Sequence, residues 1–395
     1  MANKLKKEHI RPTTLILVIV ILGILVYGAV NMFDVFSLTG SAINLSEAKE
    51  IIKLDIKDND YIGLNDKQII KVNRDGIKAY DLDGYEVWSD TLSVNNYVVK
   101  QREPYIAVGS KEEGKKISLF NTKGKVIDIT LDNPVIYFSV NEKGGISVIQ
   151  KLNSGNMVAA YDVNGKYLGG MISYTSNEGY PTSVELSADN KLLLVTYVKT
   201  DEPILTSSIR AIAMEEVEGK EGEGVKYGIL ERGNLIYEVE FIRDNIWVSI
   251  GDQKMTWYDM NGNEIKSIAN INSIFRPYLY KQSKYGNGFF PIVSSDYPES
   301  SIIKRKDKLT FWNAQGTKDF ETELQMAANY LYTDERGVVI GSNNQFIGYN
   351  KMGSQTFAYK STVDVNKVFY LSEMRKGIAV SKENVILLTP KRMVK

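Results

Sequence analysis

The chain has 395 residues, with 48 basic and 48 acidic side chains, 24 tyrosines, no cysteine and one histidine, His9. The missing cysteines exclude disulfides, thiolate nucleophiles, cysteine-held zinc and a lipoprotein acylation site. Beyond residue 9 the missing histidine excludes Ser-His-Asp and Cys-His pairs and histidine metal sites. Balanced charge gives no field for nucleic acid, so no such partner is expected.

Residues 15–30, LILVIVILGILVYGAV, carry no charge. Extended to Thr13 and Phe33, the stretch is long enough to cross a bilayer as a helix. Lys4, Lys6, Lys7 and Arg11 precede it, whereas Asp34 is the first charge after it and Lys49 the next lysine. That asymmetry puts residues 1–12 in the cytoplasm as a short tail, 13–33 in the membrane and the remainder outside. The expected location is therefore the cytoplasmic membrane, single-pass. A cleaved signal peptide, cut near Thr39-Gly-Ser-Ala42, is the alternative. Residues 34–46 read as a linker.

From residue 47 onward one short phrase returns: an aromatic, Asp or Asn, two residues, then Gly. It occurs as Tyr80-Asp81-x-x-Gly84, Phe120-Asn121-x-x-Gly124, Tyr161-Asp162-x-x-Gly165, Tyr258-Asp259-x-x-Gly262, Trp312-Asn313-x-x-Gly316 and Tyr349-Asn350-x-x-Gly353. Asp or Asn bonds backbone two residues on, and glycine accepts the positive φ of a tight hairpin. The widest gap, Gly165 to Gly262, has room for a hidden copy. SIRAIAM (208–214) fits its strand, and EEVEGKEGEG (215–224) an enlarged acidic tip. Short apolar runs such as YIAVGS (105–110) and IWVSIG (246–251) precede the phrase, as expected for strands covered on both faces.

Strand, strand, hairpin, strand at a period near 40 residues predicts an all-β fold, a single β-propeller over residues 47–395. Third strands are expected at 77–81, 117–121, 157–162, 208–213, 254–259, 308–312, 346–350 and 384–388. That favours eight blades, with seven as runner-up. After VILLTP only KRMVK remains, so the last blade lacks an outer strand. IIKLDI (51–56) is expected to supply it and close the ring.

AYDLDGYEVW (79–88) resembles the blade motif of quinoprotein-dehydrogenase-like propellers and, more loosely, WD40 repeats. With the anchor and the absence of cysteine, the chain looks like a family of membrane-anchored propellers from clostridia and related Gram-positive bacteria. The resemblance implies a propeller at the outer face of the cytoplasmic membrane. It transfers no catalytic residue, metal ligand or cofactor.

Asp81-x-Asp83-Gly84 starts like a calcium loop but lacks the further acids at loop spacing, so a hairpin turn is the better reading. The glutamates of 215–223 and the basic run Lys304, Arg305, Lys306 and Lys308 read as solvated surface more readily than as docking sites. The segment 284–301, KYGNGFFPIVSSDYPESS, is the first candidate for an interaction loop. Its aromatics Tyr285, Phe289, Phe290 and Tyr297 either bind a partner or complete a blade core. YTSNEGY (174–180) is a weaker candidate of the same kind.

The expected role is a non-catalytic, membrane-tethered scaffold or sensor. It would meet the lipid bilayer through residues 13–33 and a protein or cell-wall polymer through the propeller. Two alternatives remain: a glycan hydrolase or lyase using carboxylates paired across the channel, and a quinoprotein redox enzyme.

Overall fold

The computed structural model describes residues 42–390 except 53, 55, 58, 93, 95, 111–113, 202, 217–222, 244, 270, 272–288, 296–306, 335–336 and 383. The expectations for residues 1–12 and 13–33 fall outside it. Among the described residues there are strands, two single-turn 3-10 helices (Met214–Glu216 and Ser372–Met374), and no helix long and apolar enough to cross a membrane.

The strands form antiparallel meanders in chain order. Sheet 1 spans residues 61–91, sheet 2 97–130, sheet 3 135–173, sheet 4 180–232 and sheet 5 236–269, each with four strands. Sheet 6 has three described strands, Phe289–Ser295, Asp307–Asn313 and Lys318–Glu323. The recurring phrase joins the last two, so they correspond to third and fourth strands elsewhere. An eight-stranded sheet holds two further meanders side by side: sheet 7, residues 330–360, and sheet 8, residues 365–390 plus the N-terminal strand Ile43–Ile52.

That N-terminal strand is the outer strand of sheet 8. It pairs antiparallel with Val385–Pro390, from Leu45↔Pro390 to Ile52↔Val385, with a register shift between Glu47 and Ile51. Its first two residues also pair in parallel with the outer strand of sheet 7, as Ile43↔Phe357 and Asn44↔Ala358. The span differs from the expected 51–56. Only Ile51 and Ile52 of that run are paired, and the strand begins inside the stretch read as a linker. An outer strand that meets each neighbouring core at only one position needs few apolar residues. Here Leu45 and Ile52 suffice, both buried, and INLSEAKE looks polar. Leu54, past the strand's end, packs into the core between sheets 8 and 1.

No sheet buries its own faces. The cores lie between consecutive sheets: Ile70, Ile77 and Ala79 of sheet 1 meet Ile106, Val108 and Phe120 of sheet 2. Ile149 and Val158 of sheet 3 meet Val184, Leu193 and Tyr197 of sheet 4. The series returns on itself where Phe369, Ile378, Val380 and Val385 of sheet 8 meet Ile62, Leu64 and Ile69 of sheet 1. Sheets stacked radially in a closed ring make this a β-propeller.

The recurring phrase is the joint between neighbouring sheets. Asp81 Oδ1 accepts hydrogen bonds from the backbone N–H groups of Asp83 (3.0 Å) and Tyr85 (2.8 Å). Asp162, Asp259, Asn313 and Asn350 each accept the same pair two and four residues on. The carboxylate of Asp81 thus serves the turn. In each copy the glycine has positive φ and faces a side chain of the preceding sheet. A Cβ on Gly84 would sit 2.9 Å from Ile52 Cγ2, and one on Gly353 would run into the Phe320 ring. In the opening copy, Trp88 of sheet 1 stacks on Phe120 of sheet 2 at 5.9 Å and donates to Thr122 O at 3.1 Å.

Chain direction sorts the connections onto two faces. Turns joining first to second and third to fourth strands share one, here the turn face. Turns joining second to third strands, and the links between sheets, share the other, the loop face. Ile43 starts beside Pro390, where sheet 8 would otherwise have a third-to-fourth turn.

Gly353→Ala should destabilise the fold by about 1–3 kcal/mol more than Gly233→Ala, by urea unfolding, because the first adds overpacking to the same backbone strain. Gly233 has φ +70 and nothing within 4 Å of an added Cβ. A chain beginning at Lys53 leaves Val385–Pro390 as a bare edge. It is expected to associate in size-exclusion chromatography; a monomer with unchanged thermal stability would show that the strand is dispensable.

Candidate functional site

Propellers present two places for chemistry, the central channel and the loop rims. The innermost strands line the channel. Most positions on them are apolar, and their few charged residues are therefore informative. Arg102, at the end of the innermost strand of sheet 2, donates to Glu240 Oε2 in the innermost strand of sheet 5. Glu240 is buried and Arg102 partly so, and the sheets lie three apart, so the pair crosses the channel. Glu185 of sheet 4 and Glu142, in the first turn of sheet 3, act on the same guanidinium. Burial alone would lower the Arg102 pKa, but the charges of Glu240 and Glu185 outweigh it and raise the pKa further above its ordinary value.

Two lysines line the channel nearer the loop face. Lys100 Nζ sits 4.4 Å over the Tyr137 ring. Lys367 Nζ sits 4.8 Å over Tyr61 and donates to Ile62 O at 3.1 Å, stitching sheet 8 to sheet 1. Burial lowers the Lys367 pKa below the usual lysine value; the tyrosine ring face offsets part of that desolvation. Four innermost strands carry a register shift at the loop-face end, at Val135/Tyr137, Pro181/Ser183, Ile236/Glu238 and Val365/Lys367. Such bulges re-aim side chains at a rim. The skipped residues Ile136 and Asn366 are exposed there.

A glycan-cleaving pair needs one carboxyl group that keeps its proton near neutral pH, which an apolar pocket favours. Glu240 and Glu185 instead share the Arg102 guanidinium. Their arrangement ties sheets 2 to 5 together.

The second place is the loop-face end of sheet 4. Tyr180, 59% exposed, opens the innermost strand, and Ile204, 57% exposed, stands with Leu205 in the loop between the second and third strands. The chain enters Tyr180 through a tight turn in which Tyr174 N–H donates to Glu178 Oε2 (3.1 Å) and Gly179 takes φ +93. The weaker sequence candidate, 174–180, therefore contributes an exposed aromatic. Ile204 and Leu205 were not singled out, although an apolar pair after Asp201-Glu202-Pro203 in a loop is a legible signal.

The first candidate segment divides differently. Phe290 is buried and packs on Trp257, with ring centroids 5.6 Å apart, so it completes the core between sheets 5 and 6. Phe289 pairs with Asn313 in the sheet ladder. Tyr285 and Tyr297 lie outside the described residues. Glu215 is exposed and 3.5 Å from Lys191, as a solvated tip would be. Of the basic run only Lys308 is described, in the third strand of sheet 6.

A family of unknown function, DUF5711, matches residues 43–388. The chain belongs to this family. No curated protein matches it. Among solved structures it is similar to BamB from Moraxella catarrhalis, at 13% identity and TM-score 0.49 over 89% of this chain and 99% of that one. It is also similar to a eukaryotic initiation factor, at 11% identity and TM-score 0.48 over 80% and 90%. A third is Hsv2 from Kluyveromyces lactis, at 13% identity and TM-score 0.45 over 77% and 98%. The ring rests on the strand pairing and cores above, and likenesses this distant add nothing on function.

Arg102→Met should cost about 3–5 kcal/mol by removing the guanidinium from the buried Glu240 carboxylate. Such groups hold protons in the folded state, so the variant's stability should be greatest in acid and fall as pH rises. Urea unfolding at pH 5 and pH 8 checks the sign, and Arg102→Met with Glu240→Gln should recover part of the loss.

Proposed function

We propose that this member of the DUF5711 family is an eight-bladed, membrane-tethered propeller. It acts outside the cytoplasmic membrane as a non-catalytic scaffold or sensor for a protein or cell-wall polymer. Eight interblade cores among the described residues, the last returning to sheet 1, support the count. The uncharged stretch 15–30 and the basic residues before it support the tether. The non-catalytic reading draws on the channel acids gathered around Arg102 and on the lone histidine at position 9.

One observation carries the binding role: Tyr180, Ile204 and Leu205 stand exposed on the loop face, opposite the face where Ile43 starts. A rigid ring that presents apolar and aromatic side chains away from its tether is suited to holding a partner at a fixed distance from the bilayer. Cross-linking on intact cells should capture a partner with the wild-type chain and lose it with Tyr180→Ser plus Ile204→Ser, at unchanged thermal stability. Equal capture by the double variant would remove the loop face from the proposal. Membranes washed in alkaline carbonate should retain the full chain and release one beginning at residue 42; release of both would remove the tether.

A further inference from the structure

We propose that the turn face lies against the lipid bilayer, with exposed side chains at its rim seated in the interfacial layer. This rests on residues 13–33 forming a membrane anchor. Nine residues, 34–42, separate that stretch from Ile43. Fully extended they reach about 30 Å. Ile43 begins on the turn face at the ring's perimeter, so the face that meets the tether is the one brought to the membrane.

The side chains around that point fit an interfacial layer. Sheets 7 and 1 flank sheet 8 in the ring. The turn of sheet 7 carries Met352, 48% exposed, and the turn of sheet 1 carries Tyr85, 73% exposed and the most exposed large apolar side chain described. Met374, 38% exposed, lies in the first turn of sheet 8 itself. Nothing in their turns requires Tyr85 or Met352 to be apolar, because those turns are built from Asp or Asn, backbone and glycine. Tyrosine prefers the headgroup level, where its ring is apolar and its hydroxyl stays wet. Asp83, exposed beside Tyr85, keeps the contact shallow.

The chain has no cysteine, so single labels are unambiguous. Full-length Tyr85→Cys, Met352→Cys and Met374→Cys, with Tyr180→Cys and Ile204→Cys as loop-face controls, would each carry an environment-sensitive fluorophore. Each would be reconstituted into phosphatidylcholine vesicles with and without headgroup spin-labelled lipid. Labels at 85, 352 and 374 should lose most of their emission to the spin label, and labels at 180 and 204 should keep theirs. Vesicle-bound protein in which all five labels keep their emission would overturn the lipid contact and leave the anchor standing. Failure to float with vesicles would overturn both. Self-quenching at 85 and 352 that depends on protein density rather than spin label would assign the face to a second copy of the chain and overturn the proposal.

Discussion

A four-stranded sheet with apolar residues on both faces has no stable solution alone. The structure follows from that constraint. Each sheet here lends one face to the neighbour before it and the other to the neighbour after it, and only a closed ring leaves no face bare. The last meander has three strands of its own, so closure depends on the N-terminal strand. Leu45 and Ile52 connect that strand to two different cores, one with sheet 7 and one with sheet 1.

The recurring turn applies the same constraint at the perimeter. Its Asp or Asn satisfies backbone N–H groups that the hairpin would expose. Its glycine lets the next sheet approach within van der Waals distance of a side chain such as Trp88, Ile127 or Tyr227. The phrase varies in its aromatic and in its two middle residues because those positions meet different neighbours, while the positions fixed by backbone geometry stay constant. Polar side chains repeat the stitching inside the channel, where Arg102 spans sheets 2 to 5 and Lys367 joins sheet 8 to sheet 1.

Six of the third strands were legible because each ends in a residue pattern set by local geometry. The hidden copy at 208–213 was recovered as Thr206–Ala213 from spacing alone. Local rules served less well where long-range packing decided. Residues 43–46, the start of INLSEAKE, read as a linker until a partner strand at residues 385–390 is known. Phe290 sits among Gly, Ser and Pro like a loop residue, yet Trp257 claims it for the core. Arg102 and Glu240 are 138 positions apart; two charges in apolar innermost strands hint at a partner for each, but only the ring brings them together. The exposure of Tyr180 and Ile204 depends on what the neighbouring loops leave uncovered, which no single segment encodes.

The outer strand of sheet 8 also sets an order of events. Leu45 and Pro390, which pair in the finished ring, are separated by most of the described chain and leave the ribosome at different times. At about 5–20 residues per second the interval is on the order of 20–70 s. Throughout it Ile43–Ile52 lacks its antiparallel partner, and the early blades accumulate with one flank uncovered. A nascent chain of this design is open to wrong neighbours until Val385–Pro390 emerges, which makes the polar spelling of INLSEAKE an asset: a soluble strand can wait.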